Sequence, residues 1–243
     1  VTSSTHGSRR TTKQFSGEDG TSRSLFTNKQ HTQHTMETKK IDLIVWDLET
    51  TGFVAPESKI LEIGALVVSD GVVEQKHWVL DNKCEIPANI IEITGITPEI
   101  IAAEGRDPIE CLEEFLPLIH ATERNVTHNG IKFDIPFLTA YASHVLEMSG
   151  QDTSVLRAQL RGTAFDTAVH YKASQLHMQP FEGELYSDFA ERVMSQKVFG
   201  LKFNLGLCCD QYQIDRTGVI QHRALGDVDL TMRLYQRMQH APA

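Results

Sequence analysis

The stretch Ile41-Asp42-Leu43-Ile44-Val45-Trp46-Asp47-Leu48-Glu49-Thr50-Thr51-Gly52 decides how this chain is read. Its apolar run predicts a buried strand ending at Asp47. Residues two apart on a strand share a face, so Asp47 and Glu49 project together. Carboxylates that close repel, and one is pushed toward protonation unless a cation neutralises the pair. A divalent ion with hard oxygen ligands, Mg²⁺ or Mn²⁺, is the simplest resolution. The plainer reading is a pair of solvated acids opening a turn, since Asp-x-Glu alone is a common spacing.

Outward from this strand, Ile60 to Val68 and Val72 to Leu80 flank Ser69-Asp70-Gly71 and predict a hairpin. Asp107-Pro108-Ile109-Glu110 then supplies an N-cap acid, a proline at the first helical position and a glutamate to close a capping box. Ile109, Leu112, Leu116 and Ile119 recur at helical spacing, giving an amphipathic helix to about His120. A short strand over Arg124–Thr127 leads to a helix from about Phe133 to Met148. A second strand-to-helix switch falls at Ala164-Phe165-Asp166, and residues 184–197, 202–213 and 224–239 read as helices. Strands first, then alternating strand and helix, predict an α/β domain with a mixed sheet.

Composition sets the limits. The 243 residues, 40% hydrophobic and 23% charged, suffice for one substantial core plus a tail. Apolar runs are strand-sized, which argues against a membrane span. Cys84, Cys111, Cys208 and Cys209 lack C-x-x-C spacing and read as buried or half-buried free thiols of a reducing, intracellular compartment. Residues 1–40 hold seven of the 23 Lys/Arg and three of the 32 Asp/Glu, so the remainder carries 16 basic and 29 acidic residues, a net charge of −13. Such acidity argues against a broad electrostatic footprint on duplex nucleic acid. Phosphate met through bound cations is compatible with it. Residues 1–39, rich in Ser, Thr, Gln and His, are expected to form a disordered or extended tail. The expected location is cytoplasmic with this stretch as a plain disordered leader, and its acid-poor, Arg-containing composition also suits a transit peptide to a mitochondrion or other organelle. Met36, just ahead of the folded part, is a candidate natural start.

Two further clusters carry acids. His128-Asn129-Gly130-Ile131-Lys132-Phe133-Asp134 ends at a strand-to-helix junction, where Asp134 alone would read as a helix cap. His222-Arg223-Ala224-Leu225-Gly226-Asp227 places an imidazole before the last helix and a carboxylate in its first turn. Read singly, this is a loop histidine plus an acid favoured by the helix dipole.

Taken in order, D-L-E-T-T-G, H-N-G-I-K-F-D and H-R-A-L-G-D resemble the three motifs of the DEDDh (DnaQ-like) 3′→5′ exonucleases. This family includes the proofreading epsilon subunit of DNA polymerase III, within the ribonuclease-H-like superfamily. The resemblance spans residues 40–240 and includes Ile93-Thr94-Gly95-Ile96-Thr97, Phe165-Asp166-Thr167 and Lys202-Phe203-Asn204-Leu205. A stretch at about 170–200, shortened in compact members, reads as an insertion. The implied fold is a mixed β-sheet flanked by α-helices. The implied chemistry is hydrolysis with two divalent cations, Mg²⁺ or Mn²⁺, held by Asp47, Glu49, Asp134 and Asp227, with His222 as general base. Thr50, Thr51 and Gly52 would bring backbone groups close to the terminal sugar, Phe53 and Ile96 would wedge against the terminal base, and Asn129 would touch the substrate backbone. His128 reads as structural.

The function expected is release of 5′-mononucleotides from the 3′ end of single-stranded DNA or RNA. A polymerase or other nucleic-acid complex is an expected partner, and a homodimer is compatible with the family. Two rivals stand beside this reading. One is a catalytically idle exonuclease-fold subunit acting as a scaffold, which retention of all five site residues disfavours. The other is a ribonuclease-H-type endonuclease, a group that uses four carboxylates without a histidine like His222.

Overall fold

The apolar run forms strand β1 (Leu43–Thr50), which continues past Asp47 because its pairing with β2 (Ile60–Ser69) persists through Asp47↔Gly64 and Glu49↔Glu62. A register shift between Glu49 and Thr50 then ends the regular ladder. The computed structural model describes residues 40–148 and 150–240. The tail expected at 1–39, with Met36 and the transit-peptide reading, lies outside the described residues.

β2 turns at Asp70-Gly71, both with positive φ (52° and 76°), into β3 (Val72–Val79). Two consecutive left-handed residues are what a two-residue hairpin loop requires. There follow α1 (Ala88–Thr94), α2 (Pro98–Glu104), α3 (Pro108–Ala121), β4 (Asn125–Thr127) and α4 (Asp134–Glu147). The chain then continues through α5 (Leu156–Gly162), β5 (Ala164–Asp166), α6 (Thr167–Gln175), α7 (Tyr186–Ser195), α8 (Leu205–Gln211) and α9 (Ala224–His240). The Asp107 carboxylate caps α3 by accepting from the Ile109 and Glu110 N–H groups. The five strands make one mixed sheet in the order β3-β2-β1-β4-β5, antiparallel through β1–β2–β3 and parallel through β1–β4–β5. The expected mixed sheet flanked by helices is therefore present. The stretch at 170–200 contains the end of α6, α7 and their connections.

Alternation along β1 divides its side chains between two layers. Ile44, Trp46 and Leu48 enter the larger core with Leu112, Phe115, Leu138 and Tyr141 of α3 and α4, and the Trp46 and Phe115 rings meet edge-on at 5.8 Å. Val45 faces the other way, against Val126, Phe165, and Val228 and Met232 of α9. Asp47 and Glu49 share Val45's parity and so project toward α9. Among the described residues no helix is long and apolar enough to cross a membrane. The four cysteines are free, three buried and Cys84 exposed.

Candidate active site

Asp47 and Glu49 are delivered by β1, and Asp227 by the first turn of α9. What brings α9 there is β2. Gly64, the ladder partner of Asp47, has no side chain, and a Cβ built on it would lie 2.6 Å from the carbonyl carbon of Ala224. Glu62, the partner of Glu49, is buried and clamps the same turn. The Ala224 N–H donates to its Oε2 at 2.9 Å, Arg223 Nε donates at 3.0 Å, and His77 Nε2 lies 2.6 Å from Oε1. Burial works to raise the Glu62 pKa, but the hydrogen bonds from His77, Arg223 and Ala224 prevail and bring it down to about 2. Glu62 is thus a saturated, ionised anchor.

Asp134 arrives by a different device. Asp166, at the end of β5, accepts from the N–H groups of Asn129 (2.8 Å) and Ile131 (2.9 Å) while capping α6 through Ala168 (2.9 Å). The loop before α4 is held tight: Asn129 has φ 63°, and a Cβ on Gly130 would meet Thr127 Oγ1 at 2.2 Å. His128 braces this loop from behind, its Nδ1 2.8 Å from Thr167 Oγ1 and its Nε2 2.9 Å from the Phe203 carbonyl oxygen. Burial pushes its pKa down to about 4, so it stays neutral and structural, as expected.

Oxygens of Asp47, Glu49 and Asp227 all lie within 4.8 Å of one another. Burial, then the Asp134, Glu49 and Asp227 carboxylates, holds Asp47 well above the usual carboxylate range. Burial and then Asp227 push Glu49 up to about 8. Burial raises Asp227 as well. Asp134 stands outside that trio, buried, and is pushed up to about 7 by burial and by Asp166. Among the described residues its Oδ1 has no hydrogen-bond partner. An all-oxygen anionic set beside an orphaned buried carboxylate oxygen fits a hard divalent cation. Such an ion would reverse each of these shifts by favouring the charged forms.

His222 sits in the loop before α9, exposed and with φ 58°, and its N–H donates to Asp227 Oδ2 at 3.2 Å. His222 and Asp227 line one cavity of about 380 Å³, together with Asn204, Leu205, Asp210 and Arg216.

The family model for exonucleases (RNase_T) matches residues 44–235. This chain belongs to the exonuclease family. Among relatives of this chain, the PolC-type DNA polymerase III of Thermotoga petrophila is 33% identical over 161 residues, 63% of this chain and 11% of the polymerase. That of Bacillus subtilis is 27% identical over 196 residues, 80% of this chain and 11% of the polymerase. The chain therefore spans only about a tenth of the length of these relatives. E. coli exonuclease I, solved in complex with a dA16 oligonucleotide, superposes with a TM-score of 0.61 at 16% identity, over 81% of this chain and 40% of that one. That likeness identifies the fold as ribonuclease-H-like.

The residues expected to meet substrate lie in different surroundings. Thr50 Oγ1 donates to the Gly52 carbonyl (2.7 Å) and Thr51 Oγ1 accepts from the Lys59 N–H (2.8 Å), so both hydroxyls shape the loop after Glu49. Phe53 projects from that loop, 84% exposed, its ring edge-on to Phe133 at 6.2 Å. Ile96 does not line the site as expected. It is 1% exposed and packs with Leu61, Ile86 and Ile90, and a base cannot reach it; the exposed isoleucine of that segment is Ile93. Sequence alone does not mark Gly64, Glu62 and Asp166 as site-building residues. A Gly or Glu inside an apolar strand was the only available signal for the first two.

Proposed function

We propose that this exonuclease removes nucleotides one at a time from the 3′ end of single-stranded nucleic acid, with DNA as its principal substrate, releasing 5′-mononucleotides. The observation that carries the proposal is the carboxylate trio within 4.8 Å, one member of which, Asp227, lines a cavity together with the exposed His222. The preference for DNA is supported by the names of the relatives, which are DNA polymerases, and by the dA16 complex of the structural neighbour.

Asp47, Glu49 and Asp227 would hold one divalent cation, and Asp47 with Asp134 the second, Mg²⁺ or Mn²⁺ in each case. Bound there, the cations supply positive charge to the scissile phosphate and acidity to the attacking water. His222 accepts the proton that this water loses, and its exposure lets it hand that proton to solvent. Glu62 takes no part in proton transfer, because its oxygens are committed to Arg223, His77 and Ala224. The exposed Phe53 ring offers a face for the terminal base, and the backbone at Thr51-Gly52 closes on the terminal sugar. Such contacts select a strand end by shape and stacking and ignore base identity.

The test is digestion of 3′- and 5′-labelled linear strands and of a circular single strand, in DNA and RNA forms, with Mg²⁺ or Mn²⁺. Linear DNA should lose its 3′ label first as 5′-mononucleotide while the circle survives. Nicking of the circle at a comparable rate would establish an endonuclease, and inertness toward every substrate would establish the idle scaffold.

A further inference from the structure

The connection between α7 and α8, Gln196-Lys197-Val198-Phe199-Gly200-Leu201-Lys202-Phe203, is anchored at both ends and bare in the middle. At its start, the buried Lys172 ammonium donates to the carbonyls of Met194 (3.1 Å) and Gln196 (2.7 Å) and lies 5.2 Å from the centre of the Phe203 ring. At its end, the Phe203 carbonyl oxygen is 2.9 Å from His128 Nε2, in the loop that leads to Asp134. Between these anchors Val198 to Leu201 turn through Gly200 at φ 79°, and the Phe199 ring is fully exposed. Lys197 and Lys202 flank it, both exposed. Among the described residues neither makes an ion pair, although most basic side chains here are matched to an acid.

An exposed phenylalanine displayed on a fixed stem, between two unpaired cations, stands out on a chain whose part beyond residue 40 carries a net charge of −13. Stacking faces alternating with backbone-neutralising charges are the elements of sequence-tolerant single-strand binding. The loop runs without a break into the catalytic cavity, whose lining begins at Asn204 and Leu205. Five residues at full extension reach about 17 Å, so Phe199 stands no further than that from Asn204. At about 3.4 Å per stacked nucleotide, this distance is some five nucleotides of strand.

We propose that the Lys197–Lys202 loop is a second binding site for the substrate strand, in which Phe199 stacks on a base and Lys197 and Lys202 meet phosphates on the 5′ side of the scissile bond. The proposal rests on the 3′-exonuclease reading, since a site that consumes the 3′ end leaves only the 5′ portion of the strand to occupy this loop. It makes the loop an affinity device that is separate from the chemistry.

Two variants, Phe199→Ala and the double variant Lys197→Ala with Lys202→Ala, are compared with the full chain on two substrates. One is a 20-nucleotide single strand and the other a p-nitrophenyl ester of a 5′-mononucleotide, too short to reach the loop. Binding of the 20-mer is also followed by fluorescence anisotropy in EDTA. All three side chains are exposed, so thermal unfolding should not change and serves as the folding control. Phe199→Ala should weaken 20-mer binding roughly 5- to 150-fold and raise KM in step. The double variant should lower the slope of log affinity against log salt by roughly 1.4, about 0.7 per lost phosphate contact. Hydrolysis of the ester should be unaffected, and Phe199→Trp should restore 20-mer binding. Unchanged 20-mer affinity and salt slope in both variants, with the wild type active, would overturn the loop proposal alone. Wild-type inactivity on both substrates would instead overturn the exonuclease reading and the loop proposal with it.

Discussion

The backbone of Ala224 occupies the space where a side chain on Gly64 would begin, 2.6 Å from the ideal Cβ position. Gly64 pairs with Asp47, so the strand residue beside the first carboxylate seats the helix that carries Asp227. Gly64→Ala should therefore act on stability and catalysis together. Steric overpacking against rigid backbone should cost about 1–3 kcal/mol, visible as a melting temperature lower by roughly 2–4 °C per kcal/mol. Activity should fall by more than the unfolded fraction explains. A variant with native melting and native rate would show that α9 does not rest on this glycine.

Glu62 holds the same turn by charge. Glu62→Gln should destabilise the protein at neutral pH by about 1–3 kcal/mol, the usual penalty for leaving buried donors poorly matched. The sign of its pH dependence follows from the lowered pKa of about 2 against an ordinary 4.5. The anchor's contribution is complete above about 4.5 and is lost as pH falls toward 2. The gap between wild type and Glu62→Gln, measured by urea unfolding, should narrow across that interval. A gap independent of pH would contradict the assignment of an ionised anchor.

The clustered acids of the candidate site predict the opposite slope. Glu49 is raised to about 8 and Asp134 to about 7, from ordinary values of 4.5 and 3.8. Between those limits the folded cation-free protein binds more protons than the unfolded chain, so its stability falls as pH rises from about 5 to 8. Added Mn²⁺ should remove the decline, because cation binding favours the ionised carboxylates. Unfolding in EDTA that is flat or rising with pH would argue against a repulsive carboxylate cluster.

Much of this site was legible because its geometry is local. Period-two alternation suffices to put Asp47 and Glu49 on one face, and Asp107-Pro108 marks the start of α3 with no tertiary information. The rest depends on distant pairings. Glu62 looks like an acid misplaced in an apolar strand until the Ala224 N–H, 162 residues on, arrives to be accepted. Helix α1 went unread because Ile90, Ile91, Ile93 and Thr94 are β-branched, a composition that disfavours helix and is outweighed here by burial of Ile90. The same ambiguity misled the reading of Ile96, since sequence does not say which isoleucine of Ile93-Thr94-Gly95-Ile96 faces the core.

His222 should separate from the acids in solution. Its proposed work is proton transfer, so His222→Ala should leave Mn²⁺ affinity by calorimetry nearly unchanged. The single-turnover rate should fall roughly 10²–10⁴-fold. Parallel loss of cation binding would make it a ligand, and loss of neither would make it an ordinary loop residue.

Asp47 offers the most direct test of the central claim, that this carboxylate cluster performs cation-dependent hydrolysis of a 3′ end. It is the residue assigned to both cations, and its removal relieves repulsion, so the Asp47→Ala protein should stay folded. The measurement is the rate of 5′-mononucleotide release from a 3′-labelled single strand with Mg²⁺. The rate should fall below about a tenth of wild type, with the variant still folded by thermal unfolding. A folded Asp47→Ala protein that exceeds that rate would contradict the central claim.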